Sequence, residues 1–562
     1  MKRTLEPLLL ATIALSLVYS PARAEAPATT APEFSEARFR AHVERLASDE
    51  FEGRAPATAG EKKTLEYIEK EFRAAGLEPA FGGTFLQPVP LVEITTHPDS
   101  TMEIRKPGGS LSLRDGDDIV AWTRRPVPES RIKDAELVFA GYGIVAPEYD
   151  WNDYAGLDVR GKVVLVLVNE PGFATQDPRL FTGNAMTYYG RWPYKFEEAV
   201  RQGAAGLLVI HETKPAAYPW EVVRNGAAQP QFDLVYDDFA ARRLPLEGWI
   251  THEAAARVLA LAGQDYAALK KASAVRGYRG RPLGVTASFG VKNDVQQRTS
   301  YNIVGVVPGR KSPDEHFLYT AHWDHLGKLP DDPQDPGADT VFNGASDNAT
   351  GVAALIELAR AFAATEPRPD RSVMFAAVTA EESGLLGSQY FAEHPPVPLS
   401  HVYGGLNMDN LYPLGRTRDL TVIGYGASEL DEYLRRAAAR QGRVLVQEPT
   451  PEKGFYYRSD HFNLAKQGVP MLYTKAGIDS PTKGAGYGRV WLDDYVANRY
   501  HKPSDEYDPA WDLSGLLEDL AVYYDVGLTL ANESSWPNWR TDSEFRAIRD
   551  RSRGVAAQST SP

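Results

Sequence analysis

Hydrophobic positions recur at helical spacing in two stretches near the start of the chain and fall into strand-like runs over much of the rest. Behind Ser35, residues Phe39, Val43 and Leu46 share one face of a predicted helix. Thr58 with Glu61 makes a capping-box pattern ahead of Leu65, Ile68 and Phe72, and Gly76 ends that second helix. From about Glu136 the texture changes to short apolar runs over 137–140, 162–168 (KVVLVLV) and 204–210 (AAGLLVI), with short helices predicted over 196–203 and 249–263 and a closing run over 283–289. That stretch predicts a β-rich insert spanning 131–290. From Ser300 onward the pattern alternates, with strands over 301–307, 317–320, 372–378, 402–407 and 469–473 and helices opening at Asp347 and Ser383. Strands interleaved with helices predict an α/β domain, a mixed and largely parallel sheet sandwiched by helices. The predicted organisation is a body made of 25–130 and 291–550 around the insert, with no internal repeat.

Length and composition narrow the setting. A chain of 562 residues exceeds what one hydrophobic core usually serves. Lys2 and Arg3, the apolar stretch from Leu8 to Val18 and the small-residue site Ala22-Arg23-Ala24 predict a signal peptide over 1–24, and therefore a periplasmic or secreted protein cleaved near Ala24. No later apolar run reaches the length of a membrane-spanning helix, and the chain has no cysteine. The formal net charge of −14 disfavours nucleic acid and suits cations or the amino end of a peptide. The final residues, 551–562, read as a disordered tail.

Candidate chemistry then follows from position. His322, Asp347, Glu382, Asp409 and His501 are the residue types that hold zinc, which binds imidazole nitrogen and carboxylate oxygen. His322 follows one predicted strand, Glu381 and Glu382 another, and Asp409 a third. In open α/β sheets ligands bind beyond the carboxyl ends of the strands. Asp347 stands where a helix with an apolar stripe (Val352, Leu355, Ile356, Ala359, Phe362) begins, suited to bridging two cations, with simple helix capping as the alternative. Of the adjacent pair, one glutamate can ligate while the other stays free as a base. Asp324, close to His322, is a candidate to orient that imidazole, whereas His325 is not expected to be a ligand.

The segments AHWDHLG (321–327), NGASDNATGV (343–352), TAEESGLLGS (379–388), NMDN (407–410), SDHFNLAKQGVP (459–470) and YHKPSDEYD (500–508) together resemble the M28 family of zinc peptidases, in the family's order. The likeness covers about 300–510. The insert is similar to the protease-associated (PA) domain found within such peptidases. The resemblance implies the zinc exopeptidase fold and two zinc ions per chain: Asp347 bridges them, His322 and Asp409 complete one site, and Glu382 and His501 complete the other. It also implies Glu381 as general base and Tyr500 as a group that steadies the oxyanion on the scissile carbonyl.

The expected activity is that of a di-zinc metallo-exopeptidase acting on peptides or proteins, in the aminopeptidase direction, with water activated between the ions. Carboxypeptidase, glutaminyl cyclase and a non-catalytic binding protein are the alternatives. Carboxypeptidase would need basic residues to clamp a substrate carboxylate, and the cyclase a single zinc. The stretches 328–340 and 478–498 are expected to be loops overhanging the cleft.

Overall fold

The computed structural model describes residues 33–330, 335, 337–541 and 543–554. The predicted leader and residues 555–562 of the predicted tail lie outside them, as does most of 331–336. Helix Arg546–Ser552 reaches into the segment read as tail.

Two amphipathic helices open the described chain. In α1 (Glu36–Leu46) the Ser35 hydroxyl accepts the amide of Arg38, and in α2 (Ala59–Ala75) the Thr58 hydroxyl accepts that of Glu61. Gly76 then closes α2 in the left-handed conformation. The Glu61 carboxylate bonds the amide of Ala57 and the hydroxyl of Ser300, so it anchors the helix start to the sheet as well as capping it.

After β1 (Leu86–Pro98) the chain enters a second lobe. Its strands β2 (Glu129–Phe139), β3 (Val163–Leu167), β4 (Gly206–His211) and β5 (Leu246–Thr251) pair parallel in that order. Parallel neighbours need crossovers, and α3 (Trp192–Arg201) lies between β3 and β4. The insert is thus α/β where its apolar runs read as β-rich. The helix expected over 249–263 begins later. Trp249, Ile250 and Thr251 finish β5, whose other edge pairs with Ile119–Trp122, and the Thr251 hydroxyl then caps α4 (His252–Leu261). Aromatic and β-branched residues favour the pleated surface over the helix. Side chains from Met102 to Ala121 pack in the same core as Ile132, Leu165 and Ile250, although the sequence texture places them before the insert.

One strand joins the lobes. β6 (Arg281–Val307) pairs antiparallel with β2 through its first half and with β1 from Val291 to Ile303. It then meets β8 in the main sheet, whose further strands are β7 (Ser312–His322), β8 (Arg371–Val378), β9 (Val402–Asn407) and β10 (Met471–Ala476). β7 lies between β8 and β9 and parallel to both, and β10 runs parallel to β9.

Alternation along β7 sends Phe317, Tyr319 and Ala321 to one face. There they pack with α1, α2, α5 (Thr350–Ala363) and α8 (Ser514–Asn532). Leu318 goes to the other face with Met374, Val378 and Phe391, the last on α6 (Leu386–Glu393). The main sheet is therefore mixed, largely parallel and covered by helices on both faces. Residues 487–498, expected as loop, form helix α7 (Tyr487–Asn498), with Trp491 stacked on Tyr495 at 5.4 Å. Among the described residues no helix is long and apolar enough to cross a membrane.

Candidate metal centre

Register brings the candidate residues together. His322 is the last residue of β7 and stands opposite Val378 at the end of β8, while Thr320 stands opposite Asn407 at the end of β9. The three parallel strands therefore release His322, Glu381 with Glu382, and Asp409 at one edge of the sheet. His501 reaches the same place from the turn after α7, with its own backbone left-handed at φ 57°.

Asp347 lies between two pairs. Its Oδ1 is 3.2 Å from His322 Nε2, which is 3.5 Å from Asp409 Oδ1. Its Oδ2 is 3.4 Å from His501 Nε2, which is 3.1 Å from Glu382 Oε2. All five predicted ligands thus meet, with the aspartate in the middle. Glu381 is brought to the first pair: one of its carboxylate oxygens lies within 4.8 Å of ligand atoms of His322 and Asp409.

Helix α5 begins at Thr350, three residues after Asp347, and the carboxylate caps nothing. The Asp347 backbone is extended (φ −115°, ψ 93°), which turns the side chain toward the two histidines. Gly344, left-handed at φ 53°, allows this turn: a Cβ there would lie 2.5 Å from His325 Cδ2.

The surroundings pin each group. Asp505 Oδ1 accepts the amide of Ser346 at 3.2 Å, and its Oδ2 accepts the Asp347 amide at 3.1 Å and the Tyr495 hydroxyl at 3.1 Å. Asn348 donates to the carbonyls of His322 and Met408 and accepts the amides of Gly351 and Asn410. Ser459 donates to Asp409 Oδ2 at 2.6 Å, and the Lys475 ammonium bonds the Asp409 carbonyl. The fully buried Arg54, from the opening segment, donates to the carbonyls of Leu46, Trp323, Asn343 and Gly344 and so ties that segment to the loops of the site.

Two expectations change in detail. His322 Nδ1 lies 3.1 Å from the Asp324 backbone carbonyl, with the carboxylate 3.8 Å away. The carboxylate instead accepts the amides of Glu381 and Glu382, so Asp324 positions the glutamate pair. His325, set aside as a ligand, contacts one: its Nδ1 is 2.6 Å from Glu382 Oε1. Tyr500 is 41 % exposed and stacks on the His501 ring at 3.8 Å.

The electrostatics fit a cationic occupant. Burial opposes charge on His322, but Glu381, Asp347 and Asp409 outweigh it and hold the imidazolium well above its ordinary range. His501 behaves alike: burial opposes, Glu382 and Asp347 prevail, and its pKa rises to about 10. Burial acts against the charged form of Glu382 too, yet His501 brings it down to about 2. The carboxylates that raise both imidazoles, Asp347, Glu381, Glu382 and Asp409, give the pocket a negative potential that draws cations. His322 Nε2 is moreover buried with no hydrogen-bond partner and stands between the carboxylates of Asp347 and Asp409. Two imidazoles and three carboxylates, in two groups sharing Asp347, are a donor set that suits a pair of zinc ions.

Comparison with known proteins agrees with this geometry. Residues 302–524 match the sequence model of Peptidase family M28. The chain is 27 % identical over 214 residues to a protein of Leptosphaeria maculans described as a probable zinc metalloprotease, covering 37 % of this chain and 47 % of that one. It is 33 % identical over 116 residues to the mouse aminopeptidase NAALADL1, covering 20 % and 14 %. The aligned parts are thus under half the length of these relatives. Among solved structures, an aminopeptidase from Aneurinibacillus sp. strain AM-1 is similar over 90 % of this chain and 95 % of its own, with TM-score 0.48 and 20 % identity. A zinc aminopeptidase from Bacillus subtilis is similar over 91 % and 97 %, with TM-score 0.41 and 18 % identity. Residues 302–524, the stretch that matches the Peptidase family M28 model, carry all five converging ligand residues.

Proposed function

We propose that the protein is a zinc-dependent exopeptidase that removes amino-terminal residues from peptides. The observation that supports this best is Asp347, each of whose carboxylate oxygens faces one histidine–carboxylate pair. His322 and Asp409 would hold one zinc ion, Glu382 and His501 the other, and Asp347 both. When bound, the pair of ions supplies Lewis-acid polarisation of the scissile carbonyl and acidification of water.

The remaining work falls to the chain. Glu381 is the carboxylate beside the site that the two pairs leave free. It takes a proton from the attacking water and delivers it to the nitrogen of the leaving amine. Burial, opposed by His322 and reinforced by repulsion from Glu382 and Asp409, holds its pKa well above the usual carboxylate range, which raises its strength as a base. Asp324 fixes the Glu381 amide and hence the carboxylate's approach. Tyr500, whose ring stacks on His501 at the exposed rim, would donate its hydroxyl to the developing oxyanion.

The insert is proposed to be a PA domain that roofs the site. Tyr188 packs on Phe462 at 4.7 Å and Lys466 pairs with Glu197 at 3.3 Å across the junction. We further propose export to the periplasm or medium after cleavage near Ala24.

Digestion of a peptide mixture, read by mass spectrometry with and without chelator, tests the activity. Chelator-sensitive ladders shortened from the amino end are expected. Ladders shortened from the carboxyl end would overturn the direction, and no cleavage by zinc-loaded protein would overturn the peptidase reading.

A further inference from the structure

A cavity of about 340 Å³ opens between the insert and the catalytic lobe, and its wall includes Glu381, Glu382 and Tyr500. The same wall carries an unusual concentration of cations. Most of them are already neutralised: Arg243 pairs with Asp233, Arg242 with Glu393, Arg124 with Glu247 and Lys466 with Glu197. Arg191 and Arg458 are not. Arg191 caps the start of α3 in the insert, and Arg458 precedes Ser459, the residue that holds Asp409. Among the described residues neither guanidinium makes an ion pair, and Arg191 Nε, Arg458 Nε and Arg458 Nη2 are buried without a hydrogen-bond partner.

Two unpaired cations facing one cavity are costly. Each gives up hydration and each repels the other, and among the described residues no carboxylate pairs with either, Arg458 lying instead over the Phe455 ring at 5.4 Å. Burial first, and Arg458 next, bring Arg191 down to about 9. Such an arrangement persists where a bound anion completes it, and the planar fork of a guanidinium matches a carboxylate with two parallel hydrogen bonds.

From this geometry we infer that Arg191 and Arg458 form a subsite for a carboxylate on the leaving side of a peptide substrate. The inference rests on the proposed peptidase reading, because the cavity that holds the arginines is the one that reaches Glu381. The carboxylate is either an acidic side chain or the carboxyl terminus of a short peptide. The subsite is shared: one arginine comes from each lobe, so substrate would bind the insert to the catalytic lobe.

Three peptides separate the sources: Leu-Gly-Gln-amide, Leu-Gly-Glu-amide, and Leu-Gly-Gln with a free carboxyl end. With zinc-loaded full-length enzyme, kcat/KM for one of the two carboxylate peptides is expected to exceed that for the neutral one by roughly tenfold, as a charge-assisted bidentate contact allows. The peptide that gains identifies the source. In R191Q and in R458Q that ratio should fall several-fold toward unity, and a ratio taken within one preparation is insensitive to the amount of folded enzyme. Equal rates for all three peptides in the wild type, or an unchanged ratio in both variants, would overturn the subsite. Calorimetric titration with the acetylated forms of all three peptides reads binding without turnover. Tighter binding of either carboxylate form that is lost in R191Q would sustain the subsite even if no peptide is cleaved, and equal binding of all three would remove it.

Discussion

Glu381 and Glu382 are neighbours in the chain with opposite surroundings. Glu382 sits between His325 and His501 and is held ionised. Glu381 faces His322 and Asp409 in a region where burial and like charge favour its neutral form. Replacing Glu381 with Gln keeps the volume and removes the base, so peptide turnover should fall by roughly 10²–10⁴-fold while zinc content, measured by elemental analysis, stays at the wild-type value. Asp505→Asn tests positioning. One of its oxygens becomes an NH₂ group that cannot accept the Ser346 or Asp347 amide. Zinc affinity should weaken by about tenfold or more in a competition titration against a chelating dye, as for other residues that hold ligands in place.

His322, Glu382 and Asp409 were readable from strand ends, because strand-end position is encoded in local apolar runs, whereas Asp347 was read from a predicted helix start and His501 from the family resemblance. The roles of Asp505, Arg54 and His325 were not readable. Each acts through a contact made between segments far apart in the chain, and nothing in PSDEYD or HWDH distinguishes a carboxylate that holds a backbone amide from one that faces water.

At the scale of elements, β7 carries both the site and a titratable liability at its other end. His316 lies near the start of the strand, 4 % exposed, with Nδ1 3.1 Å from the Asp314 carbonyl. Burial, partly offset by that contact, lowers its pKa to about 4. Below its ordinary pKa near 6.5 the unfolded chain binds a proton that the folded chain refuses. Stability from this residue is therefore complete above about pH 6.5 and is lost as pH falls toward 4, by up to about 3 kcal/mol. Unfolding by urea at pH 7 and pH 4.5 should show a smaller acid loss in His316→Gln than in the wild type. An equal loss in both would assign the acid sensitivity elsewhere.

Other elements show how far pattern carries. The helices after Ser35 and Thr58 were legible because their caps and stripes are local. Trp249 to Thr251 read as helix because the apolar periodicity of α4 continues backward into β5, and only pairing with β4 and with Ile119–Trp122 settles the difference. In 478–498, glycines and tyrosines suggested a loop, whereas α7 is held by aromatic stacking of Trp491 on Tyr495 and Tyr412.

For the whole molecule, the strand shared by both lobes, β6, makes the insert continuous with the catalytic sheet, and a cavity lined by residues of both lobes joins their chemistry. A centre with Asp347, Glu381, Glu382 and Asp409 gathered round two histidines carries mutual repulsion that bound cations relieve. Removing metal by dialysis against chelator should therefore lower Tm by several degrees, and restoring zinc should recover it, since a ligand that binds only the folded state adds its binding energy to stability.

The central claim is that Asp347 joins two cation sites. Diffraction from crystals of the zinc-loaded protein, with anomalous data on either side of the zinc absorption edge, tests it directly. Two peaks roughly 3.5–4 Å apart are expected, one beside His322 and Asp409 and one beside His501 and Glu382, with the Asp347 carboxylate between them. A single peak, or peaks away from Asp347, would contradict the claim.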